Sequence, residues 1–149
     1  MPITLKPLSP TDLPLLERFV RAYYAEDGLT FDPERQPAAL RALVDDEPLG
    51  HGWFVDLDGE SKGYVVLTLS FCIEAGGRDG IIDELYLESE LRNRGIGRQV
   101  LDLVEAEARR LGLNKLYLEV AHGNRAIELY RRAGFVDHHR YLMSKLLAP

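Results

Sequence analysis

The hydrophobic and polar positions of this chain follow two periodicities. Short apolar segments with strand-like spacing lie at its start and middle, and segments with apolar residues three or four positions apart predict helices between them. A final pair of strands is expected within residues 135–147, and a turn over residues 76–80. The other predicted strands cover residues 3–7, 53–57, 63–72, 81–87 and 115–120. The predicted helices cover residues 12–28, 33–46, 96–111 and 124–133.

The order of these elements, β-αα-β-β-β-α-β-α-β-β, predicts an α+β protein with helices on the faces of a sheet. The chain has 149 residues, which is typical of one domain with a sizeable core. It contains no repeat and no linker long enough to separate domains. We therefore expect residues 1–149 to form a single domain.

The amino-acid composition argues against several classes of protein. Hydrophobic residues make up 46% and charged residues 28%, which argues against disorder, and the net charge of −6 argues against nucleic acid or an anionic membrane as partner. No apolar segment approaches the roughly 18 residues of a membrane span, so we expect a soluble, cytoplasmic protein. The single cysteine, Cys72, excludes an intramolecular disulfide, and the four histidines lack partners at metal-ligand spacing, so no metal is expected.

The charge is distributed unevenly along the chain. Residues 1–90 carry 18 acidic and 7 basic side chains, a net charge of −11, whereas residues 91–149 carry 6 acidic and 11 basic ones, a net charge of +5. This division suits a protein that handles two ligands of opposite charge. We expect the two ligands to meet in one cleft.

One segment carries a specific chemical signal, because it follows a predicted strand and begins an amphipathic helix. It is Arg92-Asn93-Arg94-Gly95-Ile96-Gly97-Arg98. Its glycines let the backbone approach a ligand closely, and the first turn of a helix leaves N–H donors unpaired at the positive end of the helix dipole. Together with three arginines, this predicts an anion site suited to a pyrophosphate. The alternative is a glycine turn with solvated arginines.

The two commonest nucleotide motifs do not match this segment. A Rossmann fingerprint requires Gly or Ala where Val100 stands, and a Walker loop requires Gly-Lys followed by Ser or Thr. The segment does resemble the acyl-CoA-binding motif of the GNAT superfamily of N-acetyltransferases, through Leu85-Tyr86-Leu87 and then Arg92-x-x-Gly95-x-Gly97. The second motif of that family is matched downstream by Leu118-Glu119-Val120, Asn124, Ala126, Leu129-Tyr130 and Gly134-Phe135.

The resemblance implies the GNAT fold, which is a mixed, mostly antiparallel β-sheet with helices on both faces. It also implies acetyl-CoA as co-substrate. Asn124 lies six residues before Tyr130, where the family usually has seven, so Asn124 is either a cofactor contact or a helix N-cap. The residues implied to contact the cofactor are Leu85, Tyr86, Leu87, Arg92, Asn93, Arg94, Gly95, Ile96, Gly97, Arg98, Asn124 and Tyr130.

Acetyl transfer to an amine requires a general base. An alkylamine with a pKa of about 10.4 is neutral in roughly one molecule in 2,500 at pH 7. Asp83, Glu84 and Glu119 are candidates, and the resemblance favours Asp83. Because neighbouring strand residues face opposite ways, Asp83 and Glu84 share a pocket only if a bulge intervenes. The resemblance implies that Tyr130 protonates the departing thiolate and that backbone amides of residues 85–87 hold the acyl carbonyl.

The acceptor is expected between the first helices and the middle strands. Carboxylates beside aromatic rings suit a cation there, and the candidate residues are Tyr23, Tyr24, Asp27, Phe31 and Phe71. The predicted function is transfer of an acetyl group from acetyl-CoA to a primary amine of a small cationic molecule or a protein, in a ternary complex. A longer acyl donor and a non-catalytic acyl-CoA-binding sensor or regulatory module are the alternatives. The resemblance allows a homodimer, but the sequence does not fix the oligomeric state.

Overall fold

The computed structural model describes residues 2–148, with helices and strands close to those that the sequence predicts. The elements, in chain order, are β1 (Ile3–Pro7), α1 (Leu13–Asp27), α2 (Arg35–Asp45), β2 (Gly50–Leu57), β3 (Glu60–Cys72), β4 (Gly77–Leu87), α3 (Ile96–Arg110), β5 (Leu116–Leu118) and α4 (Ala126–Arg132).

The five strands form one sheet in the order β1-β2-β3-β4-β5. The first four strands pair antiparallel, and β4 pairs parallel with β5. A tight turn at Asp58 and Gly59, both with positive φ, joins β2 to β3, whereas α3 provides the crossover that a parallel pair requires. The predicted α+β architecture, with a mixed and mostly antiparallel sheet, is confirmed.

Alternation along the strands divides the core between the two faces of the sheet. On one face, α3 packs its apolar stripe, including Val100 and Val104, against Val65 and Leu67. On the other face, α1 and α2 cover a cluster rich in aromatic residues. The residues of this second cluster are Leu16, Phe19, Val20, Leu40, Phe54, Tyr64, Val66 and Tyr86. Helices therefore flank both faces, as expected.

The helix boundaries follow from local chemistry. Ser9 and Asp12 form a reciprocal capping box on the short 3-10 turn that precedes α1, and Gly28 ends α1 in the left-handed conformation at φ 68°. Arg109 and Arg110 lie in the last turn of α3, where cations suit the helix dipole. Within residues 2–148, no helix has the length and apolarity needed to cross a membrane.

Two predictions about elements are wrong. Asp79 and Gly80 do not form a turn, because β4 begins at Gly77 and already pairs with β3 there. The final strand pair is also absent, since residues 136–148 contain neither helix nor strand. The outer edge of β5 meets no further strand within the described residues, so the apolar pattern of this segment has no sheet partner in the single chain.

Candidate active site

A bulge in β4 brings two acidic side chains to the same face of the sheet. Val66 pairs with Glu84 but Leu67 pairs with Ile82, which leaves Asp83 as an extra residue opposite the β3 strand. A bulge of this kind reverses the alternation of side chains beyond it. Asp83 and Glu84 therefore both face α1 and α2, which is the condition that the sequence left open.

The two acids line a cavity of about 260 Å³, which we call the carboxylate pocket. Its wall is mainly apolar, and the acidic residues among those that line it are Asp83 and Glu84. The lining residues are Val20, Tyr24, Gln36, Ala39, Leu40, Leu43, Leu49, Val66, Thr68, Asp83 and Glu84. A small apolar cavity with a few convergent polar groups is typical of a ligand site.

Glu84 is held in place by two tyrosine hydroxyls. Tyr24 donates to Oε2 at 2.7 Å and Tyr64 donates to Oε1 at 2.9 Å. Burial raises the pKa of the Glu84 carboxyl above its ordinary value, the two hydrogen bonds oppose that rise, and the nearby charge of Asp83 adds to it. Both oxygens of Glu84 are thus committed to neighbouring side chains.

Asp83 differs from Glu84 in its surroundings. Its side chain is exposed at the mouth of the carboxylate pocket, and it makes no hydrogen bond to any residue in the described part of the chain. Desolvation by the pocket walls raises the pKa of the Asp83 carboxyl. Asp83 therefore has the accessible carboxylate, while Glu84 has the fixed one.

Tyr130 packs against the core on the α3 side of the sheet and interacts electrostatically with Tyr23 and Asp27. Tyr130 lies on α4 and is half-buried, and burial followed by the nearby Asp27 charge raises the pKa of its hydroxyl. The pKa of Tyr23 is also raised, first by burial and then by the charges of Asp27 and Glu84. Tyr23 thus lies within electrostatic reach of both Glu84 and Tyr130, and the tyrosine hydroxyls stay protonated near neutral pH.

Among the described residues, one edge of β4 is unpaired from Asp83 onward. β5 pairs only with Gly80–Ile82 of β4, and from Asp83 to Leu87 that edge of β4 faces no strand in the part of the chain that the structure describes. Backbone N–H and C=O groups on such an edge are available to a ligand.

The segment of residues 92–98, which we call the glycine loop, follows β4 and includes the first three residues of α3. Asn93 and Gly95 both have positive φ, 58° and 76°, and Gly95 is the N-cap of α3 without a side-chain cap. The first amides of α3 have no acceptor within the helix. A Cβ on Gly95 would meet nothing within 4 Å, whereas one on Gly97 would lie 2.9 Å from Leu129 Cδ2. Gly95 thus faces open space, and Gly97 permits the close approach of α3 to α4.

The arginines of the glycine loop have partners within the protein. Arg92 donates to Glu26, with Nη2–Oε2 at 2.7 Å, and to the Leu87 carbonyl. Arg98 donates to Asp102 and to the carbonyl of Arg132. These two guanidinium groups therefore already have acceptors within the protein.

Comparison with known proteins identifies the family. The family model described as "Acetyltransferase (GNAT) family" matches residues 13–135, most of the chain. The chain belongs to the GNAT acetyltransferase family. A relative of this GNAT chain, an IAA acetyltransferase from Azospirillum brasilense, is 32% identical over 102 residues, covering 68% of this chain and 67% of that protein.

Solved structures agree with the GNAT assignment. An integron cassette protein from the mobile metagenome of Cole Harbour Salt Marsh superposes with a TM-score of 0.85 at 32% identity, covering 97% of this chain and 91% of that one. A possible acetyltransferase from Clostridium difficile 630 also gives a TM-score of 0.85, covering 99% of both chains at 16% identity, and this second likeness shows the fold alone.

The other predicted residues of this GNAT chain are not all brought together. Phe31 packs on Tyr24, with ring centroids 6.0 Å apart, close to the carboxylate pocket. Phe71 lies at the far end of β3 opposite Arg78, is 70% exposed, and does not line the pocket. Glu119 is exposed beyond the end of β5 and does not line the pocket either.

Asn124 is not the N-cap of α4, which is Arg125, but lies one residue before it. Its Oδ1 accepts the backbone N–H of Ala126 at 2.9 Å at the start of α4. Tyr86 is buried among aromatic rings, with the Arg92 guanidinium 5.6 Å from its ring centroid. Within residues 2–148, no group of three or more His, Cys, Asp or Glu side chains is arranged to hold a metal ion.

Sequence reasoning missed the role of Tyr64 and the contact between Glu26 and Arg92. Tyr64 is fully buried in β3 and fixes Glu84 across a separation of 20 residues, and in the sequence it is one of several apolar strand residues. Glu26 binds Arg92 across 66 residues, so an acid from the negative half of the chain reaches the glycine loop. The two signs of charge therefore mix at this point and do not separate fully in space.

Proposed function

We propose that this GNAT protein transfers an acetyl group from acetyl-CoA directly to a primary amine of a small cationic molecule or a protein, with both substrates bound at once. The observation that carries this proposal is that the carboxylate pocket and the glycine loop flank the same open stretch of β4. Acetyl-CoA is the general co-substrate of the family. The glycine loop would receive the donor and the carboxylate pocket the acceptor.

The glycine loop fits a pyrophosphate through its backbone. The left-handed conformation of Gly95 and the open space around it let an anion approach the first amides of α3. The free edge of β4 at Leu85–Leu87 comes next along the strand, where a backbone N–H would donate a hydrogen bond to the thioester carbonyl and stabilise negative charge on its oxygen. This arrangement agrees with the cofactor residues that the resemblance implies.

The carboxylate pocket fits an ammonium group. Glu84 supplies a fixed negative charge, Asp83 a second one at the mouth, and Tyr24 an aromatic wall. Two carboxylates in a small apolar cavity are costly to leave unpaired, and a cation offsets that cost. Asp27 adds a further negative charge, which interacts with the hydroxyl groups of both Tyr23 and Tyr130.

Asp83 is the proposed base. Its accessible carboxylate accepts a proton from the bound ammonium, directly or through a water, and the neutral nitrogen then attacks the thioester carbonyl. Glu84 is less suited to that role, because both of its oxygens already accept hydrogen bonds. We assign Glu84 to orienting and holding the cation.

Tyr130 is the proposed acid. As the C–S bond breaks, the thiolate takes the hydroxyl proton of Tyr130, and the nitrogen loses its second proton to solvent as the amide forms. The phenolate regains a proton from solvent, and Asp83 releases the one it accepted. The raised pKa of Tyr130 keeps the proton in place at the start of each cycle. In the balance of the reaction, ammonium and thioester give an amide, a free thiol and one proton.

Thiol release from acetyl-CoA tests the proposal. The full chain is assayed against a polyamine, an aminoglycoside and a peptide with a free N-terminus, with butyryl-CoA as a second donor and calorimetry for CoA binding. We expect stoichiometric thiol release with at least one amine and faster turnover with acetyl-CoA. CoA binding without thiol release on any amine would support the non-catalytic module, and a preference for butyryl-CoA would support the longer donor.

A further inference from the structure

The carboxylate pocket has a polar end and an apolar end. Asp83 and Glu84 lie at the polar end, where the Glu84 oxygens accept hydrogen bonds from Tyr24 and Tyr64. Most of the remaining wall consists of aliphatic side chains from α1, α2, β3 and the short turn that precedes β2. These side chains are Val20, Ala39, Leu40, Leu43, Leu49 and Val66. The acidic groups among the lining residues are therefore adjacent and occupy one end only.

The register of the sheet gives the direction of the apolar end. Val66 on β3 pairs with Glu84. Thr68 lies two residues farther along β3, a rise of roughly 6.5 Å, and pairs with Gly50 on β2. Leu49, which directly precedes Gly50, lines the pocket at this end. The pocket therefore extends from Glu84 toward the start of β4, away from the stretch of open edge where the thioester is proposed to bind.

Among the lining residues, the apolar end has no negatively charged group that could pair with a second cation. The polar residues of the wall other than the two acids and Tyr24 are Gln36 and Thr68, and neither is charged. The Gln36 Oε1 already accepts the Asp32 N–H at 2.6 Å. An ammonium group there would lose hydration without gaining a carboxylate partner, which is costly, whereas CH₂ groups gain from the same surface. The apolar end therefore favours an uncharged body over a second amine.

The size of the pocket limits the body of the acceptor. Its volume of about 260 Å³ lies below the roughly 300–1,000 Å³ of sites for drug-sized ligands. Leu40 and Val66 are buried, so this part of the wall belongs to the packed core, whereas Leu49 is 48% exposed and forms an apolar rim. The pocket accordingly fits a short chain or a single ring and is too small for several linked sugar rings.

We propose that the acceptor is a primary monoamine with a short apolar body, and that Leu49 is a specificity-determining residue that disfavours diamines, polyamines and aminoglycosides. This inference rests on the proposed function, because it concerns the acceptor of the same reaction. The protonated nitrogen lies at Asp83 and Glu84, beside the open edge of β4, and the apolar body lies along α2 toward Leu49. An acceptor with several charges would place one of them against leucine side chains.

Thiol release with hexylamine and hexamethylenediamine tests this proposal. The two amines have the same chain length and differ in the group at the far end, which is a methyl in one and an ammonium in the other. We expect kcat/KM at pH 7 to be roughly tenfold higher for hexylamine, although the diamine has two reactive nitrogens. From propylamine to hexylamine, kcat/KM should rise by up to about fourfold for each CH₂ group that enters the pocket.

Leu49→Asp should reduce or reverse this preference. The new carboxylate would face the far ammonium of the diamine, so the ratio of kcat/KM for hexylamine to that for the diamine should fall about tenfold. Leu29→Asp is the matched control, because Leu29 is 49% exposed, lies in the connection between α1 and α2, and does not line the pocket. This control should keep the wild-type ratio. Each ratio is measured within one variant, so it does not depend on the fraction of folded protein.

The possible failures are distinguishable. Equal or faster thiol release with the diamine or an aminoglycoside in the wild-type protein would overturn the monoamine assignment and leave acetyl transfer to an amine standing. An unchanged ratio in Leu49→Asp would exclude Leu49 as a specificity-determining residue. Thiol release with no amine of any class would overturn the proposed function and this inference with it.

Discussion

The carboxylate pocket and the glycine loop lie on either side of the open edge of β4, but they are built in different ways. Side chains define the pocket: Glu84 is fixed by hydroxyls that lie 60 and 20 residues away in the sequence. Main-chain geometry defines the loop, through the left-handed Asn93 and Gly95 and the start of α3. One side of the site therefore depends on distant contacts and the other on local conformation.

This difference predicts how each side responds to substitution. In the pocket, exchanging one polar atom removes a carboxylate charge or breaks a hydrogen bond that fixes Glu84. In the glycine loop, Arg92 and Arg98 already have partners within the protein, so backbone conformation should matter more than these side chains. Substitutions of pocket side chains and of glycine-loop backbone positions test this difference separately.

The largest effect is expected for Asp83→Asn in the carboxylate pocket. The substitution keeps the shape and removes the base, so kcat should fall by roughly 10²- to 10³-fold at pH 7. The deficit should shrink as the pH rises toward the pKa of the amine, because neutral amine then forms without a base. Steady-state thiol release between pH 7 and pH 9.5 measures the fall in kcat and its dependence on pH.

Glu84→Gln is the matched control for the base. It removes the neighbouring charge while the cavity keeps its shape, and we expect mainly a higher KM for the amine, because Glu84 holds the cation. A loss of kcat that is larger for Glu84→Gln than for Asp83→Asn would exchange the two roles. A deficit of Asp83→Asn that does not change with pH would exclude Asp83 as a base.

The next largest effect is expected at Tyr130, which lies within electrostatic reach of Tyr23. Tyr130→Phe keeps the contact with Phe135 and removes the hydroxyl proton, so kcat should fall by roughly 10- to 100-fold with little change in KM for acetyl-CoA. Tyr117→Phe is the control, because Tyr117 lies on β5 beside Ser70 and outside the pocket. Full activity of Tyr130→Phe would exclude it as the acid.

The same contrast explains which parts the sequence predicted. The glycine loop is local, and its glycine spacing before an amphipathic helix was enough to suggest the family resemblance and with it the fold, which is confirmed; the anion site stays a prediction. The carboxylate pocket depends on a bulge at Asp83 and on Tyr64, which no local pattern distinguishes from other strand residues. The wrong strand pair in residues 135–147 has a related cause, since strand propensity does not specify which edge a segment pairs with.

A smaller effect is expected in the glycine loop, where Gly95→Trp should weaken CoA binding about tenfold. An L-residue at a φ of 76° costs roughly 1–2 kcal/mol, and the indole would occupy the space proposed for the pyrophosphate. Gly59→Trp is closely matched, with a φ of 80° and equally open surroundings in the β2–β3 turn. Calorimetry should show similar losses of stability and weaker CoA binding for Gly95→Trp alone. Equal CoA affinity in both variants would show that the glycine loop does not bind the donor.

The smallest effect concerns the stability of the pocket itself. Because desolvation raises the folded-state pKa of Asp83 above the ordinary value of 3.8, the folded state binds that proton more tightly than the unfolded state, and stability falls as the pH rises through this range. Asp83→Asn should therefore melt at a higher temperature than wild type at pH 7, with the difference vanishing near pH 3. Solvent at the pocket mouth screens the charge, so the rise in melting temperature should be on the order of 1 °C.

Scanning calorimetry at pH 7 and pH 3 measures this difference in melting temperature, with Glu119→Gln as an exposed control. A lower melting temperature for Asp83→Asn at pH 7 would mean that the charge stabilises the fold, and the cost assigned to desolvating this carboxylate in the pocket would be wrong.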